Sequence, residues 1–108
     1  MSNVALENET SQKIAKLNDE FRYVETMSVS QGVFGLHDVL GLIRTVRDYK
    51  DFTEDNDPYG EHDFGCFDWE DQRIFWKIDY YDPSFEGWCD PLNPECERVL
   101  TVYLAEEH

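Results

Sequence analysis

Between positions 51 and 97 the chain carries 15 aspartates and glutamates against only two bases, Arg73 and Lys77, and in the same 47 residues it holds eleven aromatic side chains. These two populations must part in space. An unpaired carboxylate stays hydrated because burying it is costly, whereas Phe, Tyr and Trp drive burial. A segment holding both therefore folds with rings inside and acids outside. It is too rich in aromatic and branched aliphatic residues for a disordered acidic tail. Residues 1–50 hold 7 acids and 6 bases, so nearly all of the net charge of −15 sits in this one stretch. At 108 residues the chain has material for one domain, residues 1–108, with one modest core. Residues 1–9 read as a flexible tail ahead of it.

The charge narrows the function classes. Direct binding to nucleic acid or to an anionic membrane needs clustered Lys and Arg, which are missing here. Solubility is served by a net charge of magnitude about 2–8 in a small domain. Charge beyond that weakens the compact state by self-repulsion, and screening over about 8 Å leaves neighbouring carboxylates in each other's field. The surplus points to a basic partner protein. The acids placed to meet it are Asp55, Asp57, Glu61 and Asp63, then Asp68, Glu70, Asp71 and Asp79, and finally Asp82, Glu86, Asp90 and Glu95. Tyr59, Phe85 and Trp88 are the candidate aromatic anchors.

Periodicity supplies the elements. Ile14, Leu17, Phe21 and Val24 form a helical stripe over residues 10–24, with Thr10 or Ser11 as cap and Lys13, Lys16, Asp19, Glu20 and Arg22 facing out. Residues 25–30 suit a short strand. Leu36, Val39, Leu40, Ile43 and Val46 mark a second helix over 36–49, with Asp38 near its start and Gly41 allowing close packing. Strands follow at 62–69 and 73–81, joined by a turn at 70–72. In the second of them Ile74, Trp76, Ile78 and Tyr80 face the core, while Phe75, Lys77, Asp79 and Tyr81 face away. Gly65 marks a bulge or a close backbone approach. A long Pro-containing loop, 82–96, precedes a last strand at 99–105. The expected class is α+β, with two helices on one face of a mainly antiparallel sheet of three to four strands, in the order α-β-α-β-β-β.

Four segments together resemble a known family: residues 14–22 (IAKLNDEFR), 56–65 (NDPYGEHDFG), 76–82 (WKIDYYD) and 98–101 (RVLT). The chain looks like the bacterial domain-of-unknown-function family DUF 3768, over roughly residues 13–107. Members are common on plasmids and other mobile elements of alphaproteobacteria. No activity is assigned to the family, so the resemblance implies a genetic neighbourhood and not a mechanism. It also implies no functional cysteine at 66, 89 or 96.

Chemistry-bearing constellations are weak. The polar run 55–63 offers hard oxygen ligands, but a calcium loop starting at Asp55 would place Cys66 at its twelfth position, where a carboxylate is required. The run reads instead as a Pro-Gly turn whose Asp and Asn side chains bond backbone amides. His62 and Cys66, about 13 Å apart on an extended strand, cannot exchange a proton. Three cysteines are too few and odd in number for a disulfide framework, and they lack zinc-site spacing. Cys89 and Cys96 can close a small loop if oxidised, though a reducing cytosol keeps them as thiols. No apolar run is long enough to span a membrane and the N-terminus lacks an export signal, so a cytoplasmic protein is expected. No enzyme, cofactor or metal is expected. Two functions remain. One is a nucleic-acid-mimicking inhibitor of a nucleic-acid-binding effector, of anti-restriction or anti-CRISPR type. The other is an accessory binding module of a plasmid or phage system that uses loop 82–96.

Overall fold

The computed structural model describes residues 2–24 and 27–107. In chain order the elements are α1 (Ser2–Val24), β1 (Ser28–Val29), α2 (Gln31–Phe34), α3 (Val39–Arg47), β2 (Phe64–Trp69), β3 (Gln72–Tyr81) and β4 (Glu97–Leu104), closed by a 3₁₀ turn, Ala105–Glu107. The four strands form one sheet in the order β1-β4-β3-β2. β1 runs parallel to β4, and the other pairs are antiparallel. The fold is α+β, as the sequence predicts, with the one-turn helix α2 added. Residues 25 and 26 of the expected first strand lie outside the described residues.

The alternation of β3 is realised from Ile74 to Ile78, and Tyr80 is half-buried against the same core. Ile74, Trp76 and Ile78 are buried and pair with Leu104, Val102 and Leu100 of β4, which are buried as well. Val33 of α2 and Leu42 and Val46 of α3 cover them. β2 and β3 are joined by a two-residue turn, Glu70-Asp71, in which both residues have positive φ (50° and 63°), the backbone that matches strand twist in a tight hairpin. The Glu70 carboxylate accepts from the backbone amides of His37 and Asp38, both at 2.9 Å, and so ties the hairpin to the entry of α3. Gly65 is a close approach and not a bulge. The β2–β3 register runs through it without interruption, and a Cβ there would strike the Trp76 indole and the Tyr49 ring.

Both long helices sit differently from their sequence stripes. α3 starts at Val39 with Asp38 as its cap, whose side chain accepts from the Gly41 amide at 2.9 Å. It turns Leu42 into the core and leaves Leu40 exposed. A stripe of Val39, Leu42, Ile43 and Val46 has the same helical spacing as one containing Leu40, so contact with the sheet makes the choice. α1 begins at Ser2, upstream of the expected caps Thr10 and Ser11, because no Pro or Gly interrupts the run before them. Its inward side is Ile14, Ala15, Asn18 and Arg22, while Leu17 and Val24 are exposed. Arg22, expected on the outside, is only 4% accessible.

Two polar residues can line a buried helix face only if their hydrogen bonds are met. Asn18, fully buried, donates to the Glu61 carbonyl at 2.9 Å and the Tyr80 hydroxyl at 2.8 Å, and accepts from Arg98 Nε at 2.7 Å. One side chain thereby joins α1, the segment before β2, β3 and β4. Asn18→Ala strands three polar groups. It is expected to lower unfolding stability by about 2–3 kcal/mol, read from urea denaturation. A loss near zero would show that these bonds do not hold the helix in place.

Candidate functional site

The polar run before β2 folds on itself, as the turn reading expects. Asn56 Oδ1 accepts from the Thr53 amide at 2.9 Å, and the Asp57 carboxylate accepts from the amides of Glu61 and His62 at 3.1 and 3.2 Å. Asp57 is 8% accessible. It therefore does not belong to the outward acidic set, because its oxygens are needed to hold a reversing backbone. His62 closes the loop with positive φ (57°). Its ring lies flat on Phe52, centroids 3.9 Å apart, and its Nδ1 is 3.0 Å from Asp19 of α1.

Beside this loop a cleft of about 710 Å³ opens between the end of α1 and the chain that leaves α3. Arg22 lies over the rings of Phe52 and Trp76, at 5.4 and 4.9 Å. It donates from Nη2 to the Tyr49 carbonyl at 3.0 Å and faces Asp19 at 3.3 Å. Burial pulls this guanidinium below its ordinary pKa, and Asp19 pushes back. Among the described residues Arg22 Nε has no hydrogen-bond partner, and Nη1 has only the ion pair with Asp19. Burial likewise raises the Tyr49 hydroxyl. Because Asp19 serves both Arg22 and His62, the cleft walls are committed to fastening α1 to the loop. Sequence reading missed this clamp. The only signal for it was that Asn18 and Arg22 are spaced i, i+4 on the same side as Ile14.

A second cleft, about 440 Å³, lies where β3 ends. Asp63, Asp79, Tyr80, Tyr81 and Trp88 line it. It is the place where several predicted site residues meet. Burial first, then the charges of Asp57 and Asp79, raise the Asp63 carboxyl. Burial first, then Asp63, Asp57 and Asp90, raise that of Glu61. Neither has an ion-pair partner among the described residues, whereas Asp79 pairs with Lys77 at 3.4 Å. Loop 82–96 brings the aromatic part. Trp88 bridges to Tyr81 and is 71% accessible, and Phe85, also exposed, lies 5.9 Å from the Tyr81 ring. Asp82 shapes the bend internally. Its Oδ1 accepts from the Ser84 hydroxyl at 2.6 Å and from the amides of Ser84 and Glu86, and these bonds hold its carboxyl below the ordinary range.

The remaining predicted residues lie elsewhere. Asp68, Glu70 and Asp71 are exposed at the hairpin turn, where Asp68 faces Arg73 at 3.5 Å. Backbone bonds to Asp38 and His37 depress the Glu70 carboxyl. Asp55, Tyr59, Glu86, Asp90 and Glu95 are exposed on loops. Among the described residues no three His, Cys, Asp or Glu side chains converge as metal ligands do, and no helix is long and apolar enough to cross a membrane.

A carboxyl whose folded-state pKa is raised favours the folded state only while protonated, and that contribution is lost as pH rises through the folded value. Asp63→Asn removes the charged form, so the variant is expected to melt a few degrees above the parent at neutral pH. The gap should close in acidic buffer as the parent's own Asp63 takes up its proton. Thermal melts across pH measure this, and a gap that widens towards acid would refute it.

Residues 14–22, 56–65, 76–82 and 98–101 all contribute to the two networks around Asn18 and Arg22. No curated protein and no solved structure matches the chain. A family model described as protein of unknown function (DUF3768) matches residues 6–107, nearly the whole length, and the chain belongs to that family.

Proposed function

We propose that this is a small acidic, non-enzymatic protein of the cytoplasm that binds a basic partner protein through the cleft at the end of β3 and loop 82–96. The observation that supports this most is an exposed Trp88 lining one cleft with Asp63, which, like the neighbouring Glu61, has no ion-pair partner among the described residues. A Lys or Arg side chain entering there gains the carboxylates and the faces of Trp88 and Tyr81 at once. It also relieves the repulsion that Asp57, Asp79 and Asp90 impose on the pair. Phe85 adds apolar contact at the rim.

A more specific form is an inhibitor that takes the place of nucleic acid in the basic channel of a defence effector. Its support is the density of acids over residues 51–97, which would steer such an encounter over long range. Some of the acids stand at the hairpin turn and others at the opposite end of β3, about 30 Å apart along the strand, with the rest on loops. A mimic would engage both groups, whereas a module that seats one basic segment needs only the second.

Titration with an arginine-rich peptide, followed by Trp fluorescence, tests the shared claim. Trp88→Ala is expected to weaken binding by about tenfold or more, and Asp68→Asn with Asp71→Asn to leave it nearly unchanged. Equal affinity for parent and Trp88→Ala would remove the site. Binding to a basic nucleic-acid enzyme that collapses with added salt, and that also needs Asp68 and Asp71, would favour mimicry.

A further inference from the structure

Docking against the sheet leaves apolar side chains of both long helices outside the core. Leu40 of α3 is 75% accessible, and Tyr23 and Val24 at the end of α1 are 62% and 71% accessible. Between the two helices lies a groove of about 460 Å³, walled by Tyr23 from α1 and by Leu40, Ile43, Arg44 and Arg47 from α3, with Asp48 beside them. It adjoins the larger cleft of Arg22, because Tyr23, Arg47 and Asp48 line both. Val24 and Lys50 line the larger one. Single exposed apolar side chains are ordinary, but a group of them around a groove marks a contact surface. The local charge is opposite to that of the acidic segment. Arg44 and Arg47 stand one turn apart on α3 and Lys50 follows it, and none of the three has an ion-pair partner among the described residues. Arg47 is placed where the two clefts meet, and its Nε is buried with no hydrogen-bond partner among the described residues. Of the acids that line the clefts, Asp19 is engaged with Arg22 and His62, which leaves Glu20 and Asp48 against three unpaired bases.

We propose that this groove docks an acidic amphipathic helix of a partner protein. α3 is 9 residues long, about 13 Å, and so seats about two and a half turns of a helix lying along it. Leucines spaced i, i+3 or i+4 and i+7 on that helix fill the space between Tyr23 and Leu40 and cover Ile43. Glutamates or aspartates flanking them reach Arg44, Arg47 and Lys50 and form charge-assisted hydrogen bonds. An anionic bilayer offers the same two kinds of contact. It is flat where the groove is concave, however, and the net charge of −15 repels it over the whole surface. A partner helix brings its acids only to the groove. The groove shares no lining residue with the cleft of Trp88, so the chain has separate seats for a basic and an acidic partner.

Fluorescence anisotropy tests the docking with a labelled helical peptide of about 18 residues, long enough to hold its helix. It carries leucines on one face and glutamates beside them, and a control peptide has glutamines in place of the glutamates. The parent is expected to bind the glutamate peptide about tenfold more tightly than the glutamine peptide. Leu40→Asp and Arg44→Glu change exposed side chains, so the fold persists, as a thermal melt will show. Each is expected to weaken binding of the glutamate peptide by about tenfold or more. Trp88→Ala is expected to bind it as the parent does, which separates this groove from the seat of a basic segment. No binding of the glutamate peptide, equal binding of the two peptides, or an unchanged affinity in Leu40→Asp would overturn the proposal. Leu40-dependent sedimentation with phosphatidylserine vesicles, or a Leu40-dependent dimer of the chain alone, would overturn it too, since a membrane or a second copy would then be what covers the groove.

Discussion

The fold depends on burying a helix face that is partly polar. α1 reaches the sheet through Asn18 and Arg22 as well as Ile14 and Ala15, and neither polar residue could be there unpaired. Asn18 is held by Tyr80, Arg98 and the Glu61 carbonyl, and Arg22 by the Tyr49 carbonyl, Asp19 and two aromatic faces. Such contacts are directional where apolar packing is not, so they set the rotation of the helix and its position along the sheet. The buried Tyr80 hydroxyl and the Arg22 guanidinium both have shifted ionisation because burial disfavours the charged or deprotonated form.

From those two anchors the acidic segment is organised outward. His62 meets Asp19, stacks on Phe52 and ends the loop that Asp57 has capped. That loop delivers Asp63 to the start of β2, where its carbonyl accepts from the Ile78 amide at 2.8 Å. Among the described residues the non-glycine positions with positive φ, His62, Glu70, Asp71 and Phe85, all lie between positions 51 and 97. A left-handed backbone at such residues has a cost of order 1 kcal/mol each. For His62 and Glu70 side-chain contacts offset it, while Phe85 sits in the bend that Asp82 stabilises.

The acids therefore stand in two kinds of surroundings. Asp57, Glu70 and Asp82 hold backbone amides, so their charge shapes loops. Glu61 and Asp63 have no ion-pair partner among the described residues, and burial first, then neighbouring carboxylates, disfavours their charged forms. Repulsion kept in a folded protein lowers its stability, and it is relieved when a cation arrives. This asymmetry separates the acids that shape loops from those that stand at one end of the sheet without such bonds.

The sequence by itself determined the class and the strands. Alternation at 74–80 and the branched residues of 99–104 specify the inner face of a sheet because a strand has a strict period of two and a one-residue slip would expose the whole core. It also determined that residues 55–63 form a turn capped by their own side chains, since that chemistry is local. Helix rotation was decided only by the tertiary structure. Leu40 and Leu42 are equally compatible with a 3.6-residue period, and Arg22 reads as solvent-facing until the rings of Phe52 and Trp76 are brought beneath it. The candidate site followed the same rule. Trp88, Phe85, Asp63 and Asp79 were legible as an aromatic and acidic population, but their meeting depends on the pairing of Trp88 with Tyr81. Contacts between residues far apart in the chain come from the closing of the sheet, and no local pattern records them.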